Sequence, residues 1–132
     1  MEDRSQEGRK HIFAINGSVD FLNIVRELFQ EENYNVTTTN FVPDTFDQIA
    51  ALGPNLLIID LALGMQAGWE LLEQLGQDAQ TQNIPVIVVS TRPQLLETAR
   101  ADPARYGGQR FLRKPFDVDD LLTAVDELIG RA

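Results

Sequence analysis

The hydrophobic residues of the chain fall into short continuous runs that alternate with longer stretches of helical periodicity. The most continuous run is Asn55–Asp60, in which consecutive Leu and Ile residues are closed by a single carboxylate. It lies between the turn-forming residues Gly53-Pro54 and Gly64. A short apolar run of this kind is typical of a strand buried on both faces of a parallel sheet. Asp60 is therefore predicted to be the last residue of a central strand.

Four other runs have the length and composition of strands. Two of them, residues 11–15 and 84–89, are mostly apolar, whereas the second strand is rich in β-branched and polar residues. In chain order, the predicted strands are residues 11–15, 34–39, 55–60, 84–89 and 109–113. Because the second strand is more polar than the first and the central strand, it is predicted to lie nearer an edge of the sheet.

The first and last helical stretches show the strongest apolar periodicity. Their apolar residues recur at intervals that place them on one face of an α-helix. Ser18 and Asp117 are predicted to cap these two helices at their N-termini. The residues predicted to face inward are Phe21, Leu22, Ile24, Val25, Leu28 and Phe29 in the first helix, and Val118, Leu121, Leu122, Val125, Leu128 and Ile129 in the last.

The second and fourth helices are predicted from weaker patterns. Pro43 opens the second helix, where its missing N–H costs no hydrogen bond, and Gly53-Pro54 ends it. The fourth helix begins after Pro93 and is broken by Asp102-Pro103. Because it has the fewest apolar residues, it is predicted to be the least firmly packed helix.

The third helix follows the central strand and carries Trp69 near its start. We predict that a loop through Gly64 and Gly68 leads into this helix, because glycine is typical of turns and loops. A polar linker, residues 76–83, is predicted to follow it.

Strands and helices therefore alternate along the chain, and no hairpin turn joins two predicted strands. This alternation predicts an α/β fold with a doubly wound, five-stranded parallel sheet in the flavodoxin-like order 2-1-3-4-5. Right-handed crossovers place helices on both faces of such a sheet. We expect one domain over residues 11–132, preceded by a polar, flexible leader over residues 1–10.

Composition narrows the range of functions. The 132 residues are 43% hydrophobic, which is enough for one buried core, and no apolar run is long enough to span a membrane. The chain has no cysteine and a single histidine, His11, which argues against disulfides and against thiolate or histidine-rich metal sites and favours a cytoplasmic location. A formal net charge of -9 disfavours direct nucleic acid binding, since phosphate contacts depend on Lys and Arg.

Three polar side chains are predicted at the carboxyl ends of neighbouring strands. Asp60, Ser90 and Lys114 end or follow the third, fourth and fifth strands, whose carboxyl ends meet at one edge of the sheet. Taken singly, Asp60 and Ser90 could be turn or helix caps, and Lys114 could be a surface lysine paired with Asp60. Together, a carboxylate, a hydroxyl and an ammonium suit phosphoryl transfer, so their joint placement favours a phosphoryl site.

The chain resembles the receiver domain of two-component response regulators from Ile12 to about Ile129. The segment from Asp60 to Glu70 is similar to the phosphoacceptor segment of that family, with a glycine at the same spacing after the aspartate. Residues 84–90 resemble the strand that ends in the family's Ser/Thr, and residues 111–116 resemble its lysine-proline signature. These motifs are specific when they occur together.

The resemblance implies a role for each of these residues. Asp60 would be the phosphoacceptor, and Ser90 would be the hydroxyl that senses the phosphoryl group. Lys114 would be the cationic partner, followed by a cis peptide bond to Pro115. Phe111 would be the aromatic residue that changes exposure when the domain switches.

The sequence departs from the family at the metal site. The family holds Mg²⁺ with a pair of acidic residues after its first strand, where this chain has Asn16-Gly17. Asp60, the backbone carbonyl of Ala62 and the amide of Asn16 remain as ligands, so we expect Mg²⁺ binding to be weakened or lost. Asp20 is close in sequence, but in the first helical turn it would favour the helix dipole rather than a metal. Gly64 replaces the proline that usually follows the phosphoacceptor.

Two functions are consistent with these residues. The first is a phosphorelay receiver that accepts a phosphoryl group on Asp60 from a histidine kinase or a phosphotransfer protein. It would signal to a downstream protein or a fused output domain, and the resemblance also allows a homodimer. The alternative is a pseudo-receiver, a protein-interaction module that works without phosphorylation. Retention of Asp60, Ser90 and Lys114 favours the first, and the loss of both acidic residues favours the second.

An enzyme is not expected beyond self-phosphorylation and dephosphorylation of Asp60. Phosphohydrolases with an aspartyl nucleophile carry a second aspartate two residues later, where this chain has Ala62. A flavodoxin-like cofactor site would need a longer phosphate-binding loop after the first strand than residues 16–19 provide.

Overall fold

The computed structural model describes residues 10–16, 19–40, 45–61, 66–102, 110–114 and 117–130. Within these ranges, strands and helices alternate as the sequence predicted. In chain order the elements are β1 (His11–Ile15), α1 (Val19–Glu31), β2 (Asn35–Thr39), α2 (Thr45–Leu52), β3 (Leu56–Asp60), α3 (Gln66–Gln77), β4 (Val86–Ser90), α4 (Pro93–Ala101), β5 (Arg110–Arg113) and α5 (Val118–Ile129).

The strands of the described ranges form one parallel sheet in the order β2-β1-β3-β4-β5, which confirms the predicted fold class. The central strand β3 pairs with β1 and β4, so Ile59 lies beside Ile15 and Asp60 lies beside Val89. Strands β2 and β5 form the edges of the sheet. Strand β2 is partly exposed along its whole length, in agreement with its polar composition.

Helices cover both faces of the sheet, and successive strand residues alternate between the two resulting cores. The first core lies between the sheet and helices α1 and α5, and the second lies between the sheet and helices α2, α3 and α4. The strand residues of the first core include Ile12, Ala14, Leu56, Ile58, Ile87 and Val89, and those of the second include Phe13, Ile15, Leu57, Ile59, Val86 and Val88. Burial on both faces explains why the central strands have nearly continuous apolar sequences.

Most of the residues predicted to face inward from α1 and α5 are buried or partly buried, but two are not. The prediction was wrong for Ile24 and Val118, which are 55% and 49% exposed. Ile24 lies about 200° around the helix axis from the buried Leu22, so it faces away from the sheet. Val118 is the first residue of α5, one turn before Leu121, which is the first buried residue of that helix.

Helix α3 extends further at both ends than the sequence predicted. Gly68 lies inside the helix and not in the preceding loop, because the packing of an apolar helix face outweighs a glycine penalty of about 1 kcal/mol. The helix also includes Gly76 and Gln77, which were predicted to be linker. The hydroxyl of the buried Thr81 donates a 2.8 Å hydrogen bond to the carbonyl of Leu75, which satisfies a carbonyl near the helix end.

The start of β4 and the N-cap of α5 also differ in detail from prediction. Strand β4 begins at Val86 and not at residue 84, because Pro85 has no N–H to donate to a ladder. Asp117 occupies the N-cap position of α5 as predicted, but its side chain makes no capping hydrogen bond. The following residues with predicted structural roles lie outside the described ranges: residues 1–9 of the leader, Gly17, Ser18, Pro43, Gly64, Pro103, Gln109 and Pro115.

Among the residues that the structure describes, none of the helices combines the length and apolarity that crossing a bilayer requires. The longest of them, α1, has 13 residues, whereas a membrane span needs about 20.

Two side chains hold the C-terminal end of α5 against the start of the sheet. The ammonium of Lys10, directly before β1, donates a hydrogen bond to the carbonyl of Ile129. The hydroxyl of Tyr34, directly before β2, donates a 2.7 Å hydrogen bond to the carbonyl of Gly130. A cation near helix C-terminal carbonyls also interacts favourably with the helix dipole. The beginning and the end of the described fold are therefore joined at the amino edge of the sheet.

His11 is a partly buried titratable residue at the same edge. Its backbone N–H donates a 2.7 Å hydrogen bond to Oδ1 of Asn55, and its Nε2 lies 2.7 Å from Oγ1 of Thr37. Burial lowers the pKa of His11 below the ordinary value of 6.5. The folded chain therefore favours the neutral imidazole.

The free energy of unfolding should depend on the protonation of His11. Because the pKa of His11 is lower in the folded than in the unfolded chain, the stability that depends on the neutral imidazole is fully present above pH 6.5. It is lost as pH falls through the pKa of the folded chain. We expect the natural protein to lose more stability than a His11→Gln variant between about pH 7.5 and about pH 5. Urea denaturation followed by circular dichroism at several pH values measures this difference.

The comparison isolates His11, because the two proteins share all other titratable groups and the chain has one histidine. Parallel pH profiles of the two proteins would show that burial of His11 does not affect its titration.

Candidate functional site

Asp60 ends the central strand β3, at the carboxyl edge of the sheet. Its Oδ1 lies 2.8 Å from Nζ of Lys114, and the two side chains are 14% and 18% exposed. This distance and degree of burial indicate a charge-assisted hydrogen bond that is partly removed from water. The structure therefore brings together the carboxylate and the ammonium, as the sequence predicted.

The sheet order requires a long side chain at position 114. Strand β4 lies between β3 and β5, and neighbouring strands are about 4.8 Å apart, so the side chains of Lys114 and Asp60 must together bridge about two strand spacings. The backbone N–H of Lys114 donates a 2.8 Å hydrogen bond to the carbonyl of Ser90, which fixes the base of the side chain. At its tip, Nζ lies 4.1 Å from the centroid of the Phe21 ring on α1.

Burial raises the pKa of Asp60 above its ordinary value of 3.8, whereas the hydrogen bond and the positive charge of Lys114 lower it. The net effect is an increase, so the lysine only partly offsets the cost of burying the carboxylate. A carboxylate with a raised pKa is more basic than an ordinary one. When it is ionised, it is the better nucleophile toward an electrophilic phosphorus atom.

Ser90 ends β4 and is fully buried. Its hydroxyl donates a 2.6 Å hydrogen bond to the carbonyl of Leu61 and accepts a 3.1 Å hydrogen bond from the backbone N–H of Arg92. Ser90 is therefore at the predicted edge of the sheet, but its hydroxyl bonds to backbone groups. It links the residue after Asp60 to the start of α4.

Asn16 follows β1 directly and is buried beside the end of β3. Ile15 pairs with Ile59, so the next residues, Asn16 and Asp60, come at corresponding positions on neighbouring strands. The backbone N–H of Asn16 donates a 3.1 Å hydrogen bond to the carbonyl of Thr39. The side chain next to the carboxylate is therefore a neutral amide.

The described residues offer few ligands for a metal ion. No group of three or more His, Cys, Asp or Glu side chains among them is arranged to hold a metal. Asp20 is in the first turn of α1 and is exposed, and one oxygen of Asp60 is paired with Lys114. Ala62, whose backbone carbonyl was predicted to be a ligand, lies outside the described residues.

Phe111 of β5 is partly buried against the second core. The guanidinium of Arg100 on α4 lies 5.1 Å from the centroid of its ring, within the range of a cation–π contact. Arg100 also forms a 2.6 Å ion pair with Glu97, one turn earlier on α4. The ring of Phe111 therefore lies between its own strand and α4, with the guanidinium of Arg100 over it.

Sequence reasoning did not identify three residues of this site: Phe21, Leu61 and Arg100. Phe21 was predicted only to widen the apolar face of α1, and its spacing gave no indication of a contact with a residue near the end of the chain. Leu61 acts through its backbone carbonyl, which no side-chain pattern reveals. Arg100 lies four residues after Leu96 in a helix with few apolar positions, so no signal distinguished it from a solvated arginine.

Comparison with known proteins places these features in a family. A family model described as a response regulator receiver domain matches residues 12–126. Protein PilH of Pseudomonas aeruginosa is 33% identical over 77 residues, which is 58% of this chain and 62% of that protein. The DNA-binding dual master transcriptional regulator RpaA of Synechocystis is 31% identical over 80 residues, which is 61% of this chain and 32% of that protein. The matches thus span less than two thirds of either relative.

A solved structure shows the same fold. The chemotaxis protein CheY4 of Vibrio cholerae aligns with a TM-score of 0.78 over 92% of this chain and 100% of its own. The two sequences are 18% identical. This similarity is therefore one of backbone architecture.

Removing the ammonium of Lys114 should affect both Asp60 and the stability of the fold. In a Lys114→Met variant, burial of the carboxylate is no longer opposed, so we expect the pKa of Asp60 to rise further above 3.8. The free energy of unfolding at neutral pH should fall by about 1–3 kcal/mol, because a partly buried charge loses its partner. Carboxyl-detected NMR titration and chemical denaturation measure the two effects.

A matched control is Arg110→Met, which breaks the exposed 2.6 Å ion pair between Arg110 and Glu127. Exposed pairs contribute about 0–1 kcal/mol, so this variant should be nearly as stable as the natural protein. The pH dependence also distinguishes the two variants. A carboxyl group whose pKa is raised in the folded chain lowers the free energy of unfolding as pH increases toward that pKa. The stability loss of Lys114→Met should therefore be larger at neutral than at acidic pH. An equal loss in the two variants, independent of pH, would contradict the prediction.

Proposed function

Because the chain belongs to the response regulator receiver domain family of two-component signalling, we propose that it receives a phosphoryl group on the carboxylate of Asp60. The observation that supports this proposal most directly is the 2.8 Å contact between Asp60 and Lys114 at the carboxyl edge of the sheet. In this contact a carboxylate, the proposed nucleophile, lies beside a cation that can stabilise negative charge on a phosphoryl oxygen.

In the proposed reaction, one oxygen of the Asp60 carboxylate attacks the phosphorus atom of the donor. An O–P bond forms, the bond between phosphorus and the leaving group breaks, and the leaving group departs with the electron pair. The products are an acyl phosphate on Asp60 and the dephosphorylated donor. In the transition state, the ammonium of Lys114 would meet part of the negative charge that spreads over the equatorial oxygens.

The hydroxyl of Ser90 would sense the new group by exchanging hydrogen-bond partners. A phosphoryl oxygen is charged and is a stronger acceptor than the carbonyl of Leu61, which Ser90 now contacts at 2.6 Å. A move toward the phosphoryl group would release that carbonyl. It would also disturb the bond to the backbone N–H of Arg92, one residue before α4. The start of α4 would therefore respond to phosphorylation.

We propose that the signal leaves through the face formed by α4, β5 and α5. Ser90 pairs with Arg113 in β5 and lies just before α4, so its displacement reaches both elements. Phe111 lies between them, under the guanidinium of Arg100 at 5.1 Å. A shift of α4 would change this contact and with it the exposure of the aromatic ring.

The proposed partners follow from this chemistry. The donor would be a histidine kinase or a phosphotransfer protein, and the recipient of the signal would be a downstream protein or a fused output domain in the cytoplasm. A second copy of the chain is a further partner that the same face could bind. The net charge of -9 continues to disfavour direct contact with nucleic acid.

The donor set fits Mg²⁺ poorly. Mg²⁺ prefers near-octahedral oxygen coordination that includes carboxylates. Here Asn16 supplies only a neutral amide next to Asp60, and the ammonium of Lys114 already occupies one carboxylate oxygen. We therefore assign no step of the proposed reaction to a metal ion.

The second candidate function is that of a pseudo-receiver, which would bind its partner without being phosphorylated. The observation that favours this second function is the neutral amide of Asn16 beside Asp60. A neutral side chain at this position lacks the negative charge that would attract a cation to a phosphoryl group. Phosphorylation chemistry separates the two candidates.

Small phosphodonors test the proposal directly. We expect acetyl phosphate to label the natural protein slowly and incompletely, because Lys114 and Ser90 supply only part of the stabilisation that the transition state needs. The adduct should be absent in Asp60→Asn, which keeps the shape of the side chain but removes the nucleophile. Intact-mass spectrometry over time measures the labelled fraction.

Asp78 provides a matched control for the loss of one carboxylate. Its side chain accepts a 2.8 Å hydrogen bond from the backbone N–H of Gln80, in the segment that follows α3, and Asp78→Asn should label like the natural protein. If the natural protein acquires no adduct, but Asn16→Asp with Gly17→Asp does, the chain is a pseudo-receiver. Rapid stoichiometric labelling of the natural protein would contradict the expected slow reaction.

The acidic pair should also control metal affinity. We expect Mg²⁺ to bind the natural protein weakly, and the variant with Asn16→Asp and Gly17→Asp to bind at least about tenfold more tightly, because charged oxygen ligands are added. Titration followed by the amide NMR signals of Asp60 and Leu61 measures both affinities. Equal affinities would show that residues 16 and 17 do not determine metal binding.

A further inference from the structure

Phe21 lies where the side chain of Lys114 reaches Asp60. The ammonium nitrogen is 4.1 Å from the centroid of the Phe21 ring and 2.8 Å from Oδ1 of Asp60. A cation over an aromatic ring within about 6 Å is attracted by the ring quadrupole, and the attraction increases when water is excluded. The ammonium is thus held by an anionic oxygen and by a neutral ring.

We propose that Phe21 is a positioning residue that keeps the Lys114 ammonium at the phosphoryl site whatever the charge of Asp60. Its consequence for phosphoryl transfer rests on the function proposed above. The contact itself does not, because it can be measured in the protein without a phosphodonor.

The geometry of the sheet explains why such a contact is needed. Strand β4 separates Lys114 from Asp60, so the Lys114 side chain must be extended to reach the carboxylate, and contacts with Asp60 and the Phe21 ring hold its tip. The neighbouring strand end presents the amide of Asn16, which has no charge to attract an ammonium. The ring of Phe21 therefore supplies part of the attraction for the ammonium that an anionic side chain at position 16 would supply by its charge.

The reaction would weaken the other contact. When an oxygen of Asp60 bonds to phosphorus, the carboxylate becomes an ester-like acyl group and loses its negative charge. The Phe21 ring neither gains nor loses charge in that step. It would keep the ammonium in place while Lys114 transfers its hydrogen bonds to phosphoryl oxygens.

The position of Phe21 is set by the fold and not by the lysine. Phe21 is in the first turn of α1 and packs against the first core, next to the buried Leu22. The ring is therefore fixed by the same packing that fixes the helix. It also covers one side of an ammonium-bearing side chain that is 18% exposed.

The lysine content of the chain makes a direct test practical. Lys10 and Lys114 are the two lysines of the sequence, so Lys10 serves as an internal reference for amine reactivity. Under limited acetylation, read by peptide mass spectrometry, we expect the ratio of Lys114 to Lys10 labelling to increase about 2- to 30-fold in Phe21→Leu. Leu keeps an apolar side chain but has no ring. Phe21→Tyr, which keeps the ring, should preserve the natural ratio.

The control for loosened packing is Leu28→Ala, because Leu28 is on the same helix and packs against the same core. An unchanged ratio in Phe21→Leu, or an equal increase in Leu28→Ala, would overturn the proposal. If Phe21→Leu does not fold, the natural protein still provides a test by NMR. The Hε protons of Lys114 should be shifted upfield of those of Lys10 by the ring current, and absence of this shift would also overturn it.

Labelling by acetyl phosphate then links the contact to the reaction. We expect Phe21→Leu to react about 2- to 30-fold more slowly than the natural protein, and Phe21→Tyr to react at the natural rate. If no protein is phosphorylated but the lysine ratio responds as expected, the proposed function fails and the ring contact stands. If the natural protein is phosphorylated and the lysine ratio does not respond, the proposed function stands and Phe21 has no positioning role.

Discussion

The contact between the carboxylate of Asp60 and the ammonium of Lys114 is the interaction on which the candidate functional edge depends. The central position of β3 buries the carboxylate, and burial disfavours its charge. The strand order places the compensating lysine two strands away, where only a long side chain can reach. The register of β3, β4 and β5 is therefore a condition for this contact, since a slip of one residue would send the side chains to the other face.

The proposed role of Asp60 would set stability against function at the same contact. The pKa of Asp60 remains raised despite the lysine, so the fold tolerates an ionised group that it only partly compensates. A neutral residue at this position would avoid the cost of burying a charge, but it would remove the proposed nucleophile. Partly compensated charges of this kind are typical of functional sites, where local stability is given up for reactivity. The fully buried Ser90 differs, because both of its hydrogen bonds are satisfied by backbone groups.

The sequence was sufficient to predict the architecture and the meeting of Asp60 with Lys114. Continuous apolar runs identify strands buried on both faces, and parallel strands bring their carboxyl ends to one edge. The pattern was less informative at Gly68, where packing outweighed the low helix propensity of glycine. It was also less informative at Ile24, because the buried face of α1 is narrower than the sequence predicted. It could not reveal the contact of Phe21 with Lys114 or the bond of Ser90 to Leu61. Both depend on side-chain reach and backbone position in three dimensions, and neither leaves a local pattern.

The bonds from Lys10 and Tyr34 to the carbonyls of Ile129 and Gly130, at the C-terminal end of α5, affect how the domain can be connected to other segments. They join the two ends of the described fold at the amino edge of the sheet, opposite the edge that carries Asp60. Any flanking segments would enter and leave at neighbouring points, so the domain could be inserted into a longer chain without separating the ends of its host. Tension applied through such segments would act directly on the bonds of Lys10 and Tyr34, at the edge of the sheet opposite Asp60.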